Sequence, residues 1–387
     1  MRWIATCPHE TVDVLAAELT ALGIESQQRL HRGIAFDTDL TTAYRAHLCL
    51  RTASRLQRVV AEFAAPDLET LRLTLQKIAW PAWLRSHRPF NVTPALTDPQ
   101  SQAMGEQAVI ASVVESIRQA FDKSAPVFDA AADNPITVVV FLRNGSCVLG
   151  LDTAGRALHK RGWRMTGHPA VLKETLAASI LLLARYTGQE PLLDPMCGSG
   201  TIAIEAAYIA LNKAPLIHRG KDDFALEHLA GFDRPLWRRV ADQLRAAKRS
   251  LLQAPIYASD IRAKYVDVAR ASALRARVEK FVEFSAKPLQ KWEPPAPSGL
   301  LIANLPYGER IGAGAINALY RDVGAVIKQR FSNWRIALLV PSDAPIHLLS
   351  LQTREEFALM NGALPVKLLV ARVRCARGGA PAPPGGR

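Results

Sequence analysis

Residues 303–310 read Ala-Asn-Leu-Pro-Tyr-Gly-Glu-Arg, a set of types suited to holding a flat ring by its exocyclic amine. Such an amine is conjugated with its ring and is a poor nucleophile. A site that uses it must engage its two hydrogens, aim its nitrogen and fix the ring plane. The side-chain oxygen of Asn304 and the backbone carbonyl of Leu305 can accept the two N–H bonds, Pro306 limits the backbone, and Tyr307 offers a ring for stacking. The chemistry this suits is methylation of a nitrogen-bearing base. Asn, Pro and Gly are also ordinary turn residues, so the tetrapeptide by itself fits a turn after a buried strand equally well.

Upstream, residues 191–201 read Pro-Leu-Leu-Asp-Pro-Met-Cys-Gly-Ser-Gly-Thr, followed by the apolar run Ile-Ala-Ile-Glu-Ala-Ala. A short apolar strand entering a Gly-x-Gly turn and then a helix lets backbone approach a nucleoside-bearing cofactor closely. Gly198, Gly200 and Ala203 would also satisfy a dinucleotide fold, but that fold places its ribose-binding acid about 20 residues further on. Here the candidate acid is Asp260, behind Pro-Ile-Tyr-Ala-Ser at 255–259. That distance, with Asp194 at the start of the turn, suits S-adenosylmethionine better than a nicotinamide dinucleotide. Asp is also a favoured helix N-cap, which gives Asp260 a second reading.

These residues need elements to hold them. The first segment reads as strand, helix, strand: an apolar run at 3–6, helical spacing over 11–22 with Leu15, Leu19 and Leu22 on one side, and an extended run at 33–36. Helices are expected near 40–50, 68–78 and 108–121, and strands at 136–142 and 146–152 flank Arg143-Asn144-Gly145, a hairpin signal. From residue 169 strands alternate with helices, which predicts a mostly parallel, doubly wound sheet. Strands are expected at 192–194, 256–259, 281–284, 299–303, 335–340, 355–360 and 367–373, with covering helices at 261–277 and 314–330. The glycine turn, Asp260 and Asn304 then sit at the carboxyl ends of the first, second and fourth strands, where open α/β sheets hold ligands. The Pro- and Gly-rich tail, 378–387, reads as disordered.

Composition narrows the partners. The 387 residues suffice for two or three domains with real cores, at 49% hydrophobic content. A net charge of +13 implies an anionic partner, most commonly nucleic acid. Three basic groups stand out: Arg51, Arg55 and Arg58 on one helical face; His159, Lys160 and Arg161 with Trp163 and Arg164; and Arg234, Arg238, Arg239, Arg245, Lys248 and Arg249. The second combines stacking with phosphate contact, while any of them also fits a solvated face. The apolar stretch around 176–184 stops at Arg185, short of the roughly 18 residues a membrane span needs. His9 and Glu10 come too soon for a signal-peptide core. Five cysteines without a Cys-x-x-Cys pair argue against a zinc ribbon or disulfide framework and predict a reducing cytoplasm and no metal.

Taken in order, Ala-Thr-Cys-Pro at 5–8, Ala-Tyr-Arg-Ala at 43–46, Arg-Thr-Ala-Ser-Arg at 51–55, Leu-His-Lys-Arg-Gly-Trp-Arg at 158–164, Leu-Lys-Glu-Thr-Leu-Ala-Ala at 172–178, the glycine turn, Gly-Phe-Asp at 231–233, Ala-Ser-Asp at 258–260 and the 304–310 segment carry a resemblance over nearly the whole chain. The chain resembles the THUMP-domain guanine-N2 RNA methyltransferases, and among them the bacterial 23S ribosomal RNA enzymes. The resemblance implies an α/β, Rossmann-like class I S-adenosylmethionine-dependent domain over 169–377. A ferredoxin-like domain (1–44), a THUMP RNA-binding domain (45–157) and a basic linker (158–168) would precede it. It implies cofactor contacts from Glu174, Asp194, Met196, Gly198, Ser199, Gly200, Thr201, Asp260, Ile261 and Asn304. Catalytic positioning would fall to Asn304, Leu305, Pro306 and Tyr307, and RNA contact to Arg51, Arg55, His159, Lys160, Arg161, Trp163 and Arg164. The expected cofactor is S-adenosylmethionine and the expected partner is 23S ribosomal RNA or a large-subunit assembly intermediate.

Two positions depart from that pattern. Leu305 stands where the family more often has Pro, which preserves the carbonyl. After the third strand, where many such enzymes place an acid for the adenine amine, the chain reads Ser-Ala-Lys-Pro-Leu-Gln at 285–290, leaving a backbone group or Gln290 as candidates. A tRNA guanine-N2 methyltransferase and an inactive RNA-binding assembly factor are the competing readings. A second methylation activity, fused in some relatives, is expected to be absent.

Overall fold

The protein is described here by a computed structural model covering residues 1–121, 124–167, 172–220, 223–306 and 313–373. Its contacts divide into two compact units, Met1–Gly162 with Lys213–Lys248, and Trp163–Asn212 with the chain from Arg249 onward. Both hold a seven-stranded sheet.

In the first unit the elements are β1 (Arg2–Thr6), α1 (Val12–Ala21), β2 (Gln27–Leu30), β3 (Gly33–Asp37), α2 (Leu40–Cys49), β4 (Arg55–Ala64), α3 (Leu68–Leu75), β5 (Phe90–Leu96), α4 (Pro99–Ala103), α5 (Glu106–Phe121), β6 (Ile136–Arg143) and β7 (Ser146–Asp152). The sheet order is β2-β3-β1-β4-β7-β6-β5, so one sheet runs unbroken through residues 1–152. Leu15 and Leu19 of α1 pack with Trp3, Tyr44 and Leu56 in its core. The Asn-Gly hairpin forms with both residues at positive φ, 49° and 70°, the conformation a two-residue turn between twisted strands requires.

Several expectations change here. Arg55 and Arg58 lie on the strand β4, not on a helical face with Arg51; the β-branched pair Val59-Val60 and pairing on both edges outweigh the helical spacing of the arginines. Strand β2, Gln-Gln-Arg-Leu, has no apolar alternation and exists through its ladder with β3 at the sheet edge. Strand β5 carries Pro94, which only an edge position allows. The helix expected near 108–121 starts two residues earlier, at Glu106, just after Gly105, whose φ is +76°.

The second unit begins with α6 (Glu174–Leu183), β8 (Leu192–Asp194) and α7 (Thr201–Ala210). The chain then supplies α8 (Arg234–Ala246) to the first unit, where Trp237 packs edge-on to Tyr44. It returns with β9 (Ile256–Asp260), α9 (Ala263–Arg275), β10 (Glu283–Ala286), β11 (Leu300–Asn304), α10 (Ala313–Arg330), β12 (Arg335–Pro341), β13 (Thr353–Asn361) and β14 (Leu364–Arg372). The order is β10-β9-β8-β11-β12-β14-β13, parallel through β12, with β14 antiparallel to both neighbours. Successive strand residues face opposite sides: Leu192 and Ile302 join the core containing residues of α6, α7 and α9, while Leu193, Leu301 and Ala303 join that containing residues of α10. The chain reverses direction across the sheet between β8 and β11, so the carboxyl ends of these strands open a crevice. Among the described residues, no helix is long and apolar enough to cross a membrane.

Candidate functional site

A cavity of about 720 Å³ opens at that crevice, lined by residues following β8, β9, β10 and β11. Beside β8, the turn reverses at Gly198 (φ 52°) and Gly200 (φ 79°). A Cβ on Gly200 would stand 2.9 Å from the Ala269 methyl, so glycine here serves both the backbone angle and the approach of α9. The turn is tied to β9 by two bonds: Cys197 N–H donates to the Ser259 carbonyl at 2.8 Å, and Gly198 N–H donates to Asp260 Oδ2 at 3.2 Å. Asp260 Oδ1 accepts the Arg262 N–H at 2.9 Å. The N-cap of α9 is Arg262, so Asp260 braces the glycine turn at the cavity wall instead of capping that helix.

Asp194 lies beneath the turn, fully buried. Its Oδ1 accepts the Met196 N–H at 3.3 Å, and among the described residues Oδ2 has no hydrogen-bond partner. Burial pushes its pKa up to about 8, and the nearby Asp260 charge acts in the same direction. At the end of β11, Asn304 Oδ1 is also buried without a partner among the described residues. Leu305 anchors the following backbone through its N–H to the Leu339 carbonyl at 3.0 Å and its fully buried side chain. Each unbonded oxygen is a cost unless a ligand donates to it.

Of the residues expected from sequence, Met196, Gly198, Ser199, Thr201, Asp260, Ile261, Asn304, Leu305 and Pro306 line this one cavity. Gly200 supports the turn from the α9 side, and Glu174 is buried in an ion pair with Arg164 at 3.0 Å. Tyr307 and the rest of the segment to Arg310 lie outside the described residues. Sequence reasoning missed Arg262 and Tyr265, which line the wall beside Asp260, with the Arg262 guanidinium 5.5 Å from the Tyr265 ring centre. Only their position just after Ser-Asp could have signalled them. Beyond β10, Pro288, Leu289 and Gln290 close the far side.

Several of the side chains expected to meet RNA are engaged within the protein. Trp163 is 2% exposed within the second unit's core, so its ring is not offered for stacking. Arg161 is equally buried, its guanidinium donating to the Leu158 carbonyl at 2.6 Å and the Arg51 carbonyl at 2.5 Å. Arg55 pairs with Asp152 at 2.6 Å, and Arg51 donates to the Lys213 carbonyl at 2.9 Å. Arg164 is engaged at the cavity. His159 is half-buried, whereas Lys160 is exposed, as are Arg238 and Arg239 on α8.

Comparison with known proteins agrees with this architecture. Residues 161–369 match the family described as the RMKL-like methyltransferase domain, and residues 2–57 match the RlmL ferredoxin-like domain. The chain is 31% identical to slr0064 of Synechocystis, a protein named as an RNA methyltransferase, over 95% of each chain. It is 33% identical to the ribosomal RNA large subunit methyltransferase K/L of Vibrio campbellii over 94% of this chain and 52% of that protein, so it spans about half of that relative's length. The solved structure of SMU.472 in complex with SAH superposes with a TM-score of 0.83 at 28% identity, covering 96% of this chain and 98% of that one.

Proposed function

The chain belongs to the RMKL-like methyltransferase-domain family, and from that premise we propose that it transfers a methyl group from S-adenosylmethionine to the exocyclic N2 of a guanine in 23S ribosomal RNA. The observation that carries this reading is Asn304, a residue lining the same cavity as the glycine turn and Asp260, whose buried Oδ1 has no hydrogen-bond partner among the described residues. The residues fit the cofactor. Four adjacent strands span about 14 Å at some 4.8 Å per step, enough for a nucleoside, its amino-acid arm and a reacting amine laid side by side. On this reading Asp260 accepts from the ribose hydroxyls, the exposed Ile261 gives the base an apolar shelf, and the Gln290 amide takes the adenine edge.

S-adenosylmethionine supplies a methyl group on a positive sulfur that departs as a neutral thioether. The protein's task is then positioning. Asn304 Oδ1 and the Leu305 carbonyl would accept the two amine hydrogens, which would fix the ring plane and aim the amine nitrogen into the cavity. The surplus proton passes to solvent after transfer, since an amide oxygen holds it poorly. Presenting a base this way requires taking it out of its stack. The first unit, with 45–157 as the RNA-binding module and the exposed bases of α8, would grip the surrounding RNA.

The atom assignment is tested by replacing guanosine with inosine, which lacks N2, at the modified nucleotide of a short RNA. Transfer should vanish while RNA affinity stays within about twofold, because most protein–RNA contact avoids that amine. Retained transfer to the inosine RNA would reassign the acceptor.

The raised pKa of Asp194 adds a second expectation. At pH 7 the group is largely protonated, and a cationic ligand nearby favours its carboxylate, so binding should release a proton. Affinity for S-adenosylmethionine should rise by up to about tenfold per pH unit as the pH climbs toward 8 and level off above it. Calorimetry at pH 6.5 and 8.5 in buffers of different ionisation enthalpy measures this. Asp194→Asn should flatten the profile, and a flat wild-type profile would remove the linkage.

A further inference from the structure

Resting on the cofactor reading above, we infer that Arg164 is a positioning residue that fixes two pieces of the cofactor cavity, the start of α6 and the glycine turn, to one another. Its guanidinium reaches two segments, 172–174 and the glycine turn. Nε lies 3.0 Å from Glu174 Oε1 at the start of α6, and NH2 donates to the Leu172 carbonyl at 2.7 Å. The remaining nitrogen, NH1, lies 3.5 Å from Ser199 Oγ and 3.4 Å from Thr201 Oγ1. Leu172, Ser199 and Thr201 all line the cavity. The Glu174 side chain is 3% exposed and that of Arg164 21%, so water competes weakly for this junction. The guanidinium carbon lies 5.6 Å from the centre of the buried Trp163 ring.

The rigid planar fork of an arginine can serve several acceptors at fixed angles, whereas a lysine ammonium on a flexible stem satisfies them poorly together. The junction sets where the glycine turn stands relative to the start of α6. Its effect should therefore appear in cofactor binding, although Arg164 itself need not touch the cofactor. This reverses the sequence expectation that Arg164 meets RNA.

The test is equilibrium binding of S-adenosylhomocysteine and of RNA, with steady-state methyl transfer, for wild type, Arg164→Lys, Arg164→Ala and Glu174→Gln. Arg164→Ala should weaken S-adenosylhomocysteine by about 30-fold, the scale of losing hydrogen bonds to a buried charge. Turnover at saturating cofactor should fall by less than about threefold and RNA affinity by less than about twofold, with Arg164→Lys recovering part of the cofactor loss. Because the Ala variant strands a buried carboxylate and could unfold, Glu174→Gln provides a milder probe. It should weaken the cofactor in the same direction, and adding it to Arg164→Lys should cost less than the sum of the two. A loss of RNA affinity with cofactor binding intact, or strict additivity of the two milder changes, would overturn the inference. A wild type that does not bind S-adenosylhomocysteine would instead sink the cofactor reading itself.

Discussion

Replacing Asn304 with Ala is expected to reduce methyl transfer at saturating cofactor and RNA by about 10³-fold, the scale of losing a positioned hydrogen-bonding group at a reacting centre. Affinity for S-adenosylhomocysteine should stay within about twofold of wild type, because the acceptor acts on the base and not on the cofactor. The reason is local. Asn304 Oδ1 is buried and unbonded among the described residues, so its acceptor capacity is unspent until an amine arrives. The side chain sits at the end of β11, held in register by β12 through the Asn304–Leu339 pair, so truncation should leave the strand in place. Single-turnover methyl transfer beside calorimetric cofactor titration separates the two quantities. Equal losses in both would show that Asn304 serves the cofactor.

Asp260→Ala should produce the opposite split. Two ribose hydroxyls donating to a carboxylate are worth on the order of 3 kcal/mol together, about 10²-fold in affinity. The same carboxylate receives the N–H groups of Gly198 and Arg262, so its removal also loosens the glycine turn. The loss should exceed that of Asp260→Asn, which keeps one acceptor oxygen. Turnover with saturating cofactor should recover most of the deficit. An Asp260→Ala protein that binds S-adenosylhomocysteine normally would return Asp260 to a purely structural brace.

The second unit was legible because its signals coincide. Each site motif follows a short apolar strand, so locating β8, β9 and β11 also located the glycine turn, Asp260 and Asn304 at one rim. The first unit was read less well. The arginines at 51, 55 and 58 mimic a helical period, but β4 is fixed by its neighbours β1 and β7, which no local pattern reveals. β2 and β5 are likewise edge strands whose identity comes from pairing. The partners of the Arg164–Glu174 ion pair stand ten residues apart, so neither announces the other, and a Trp amid basic residues looks like an RNA surface until its burial is seen. Unpaired buried oxygens are invisible in sequence altogether, since they depend on what every neighbouring group already bonds.

The most direct test is methyl transfer from labelled S-adenosylmethionine to protein-free 23S RNA, assembled large subunits and total tRNA, followed by nucleoside digestion and mass spectrometry. The account predicts N2-methylguanosine in 23S RNA, lost in the Asn304→Ala protein. Label appearing only in tRNA, on another nucleoside, or in no RNA at all would contradict it.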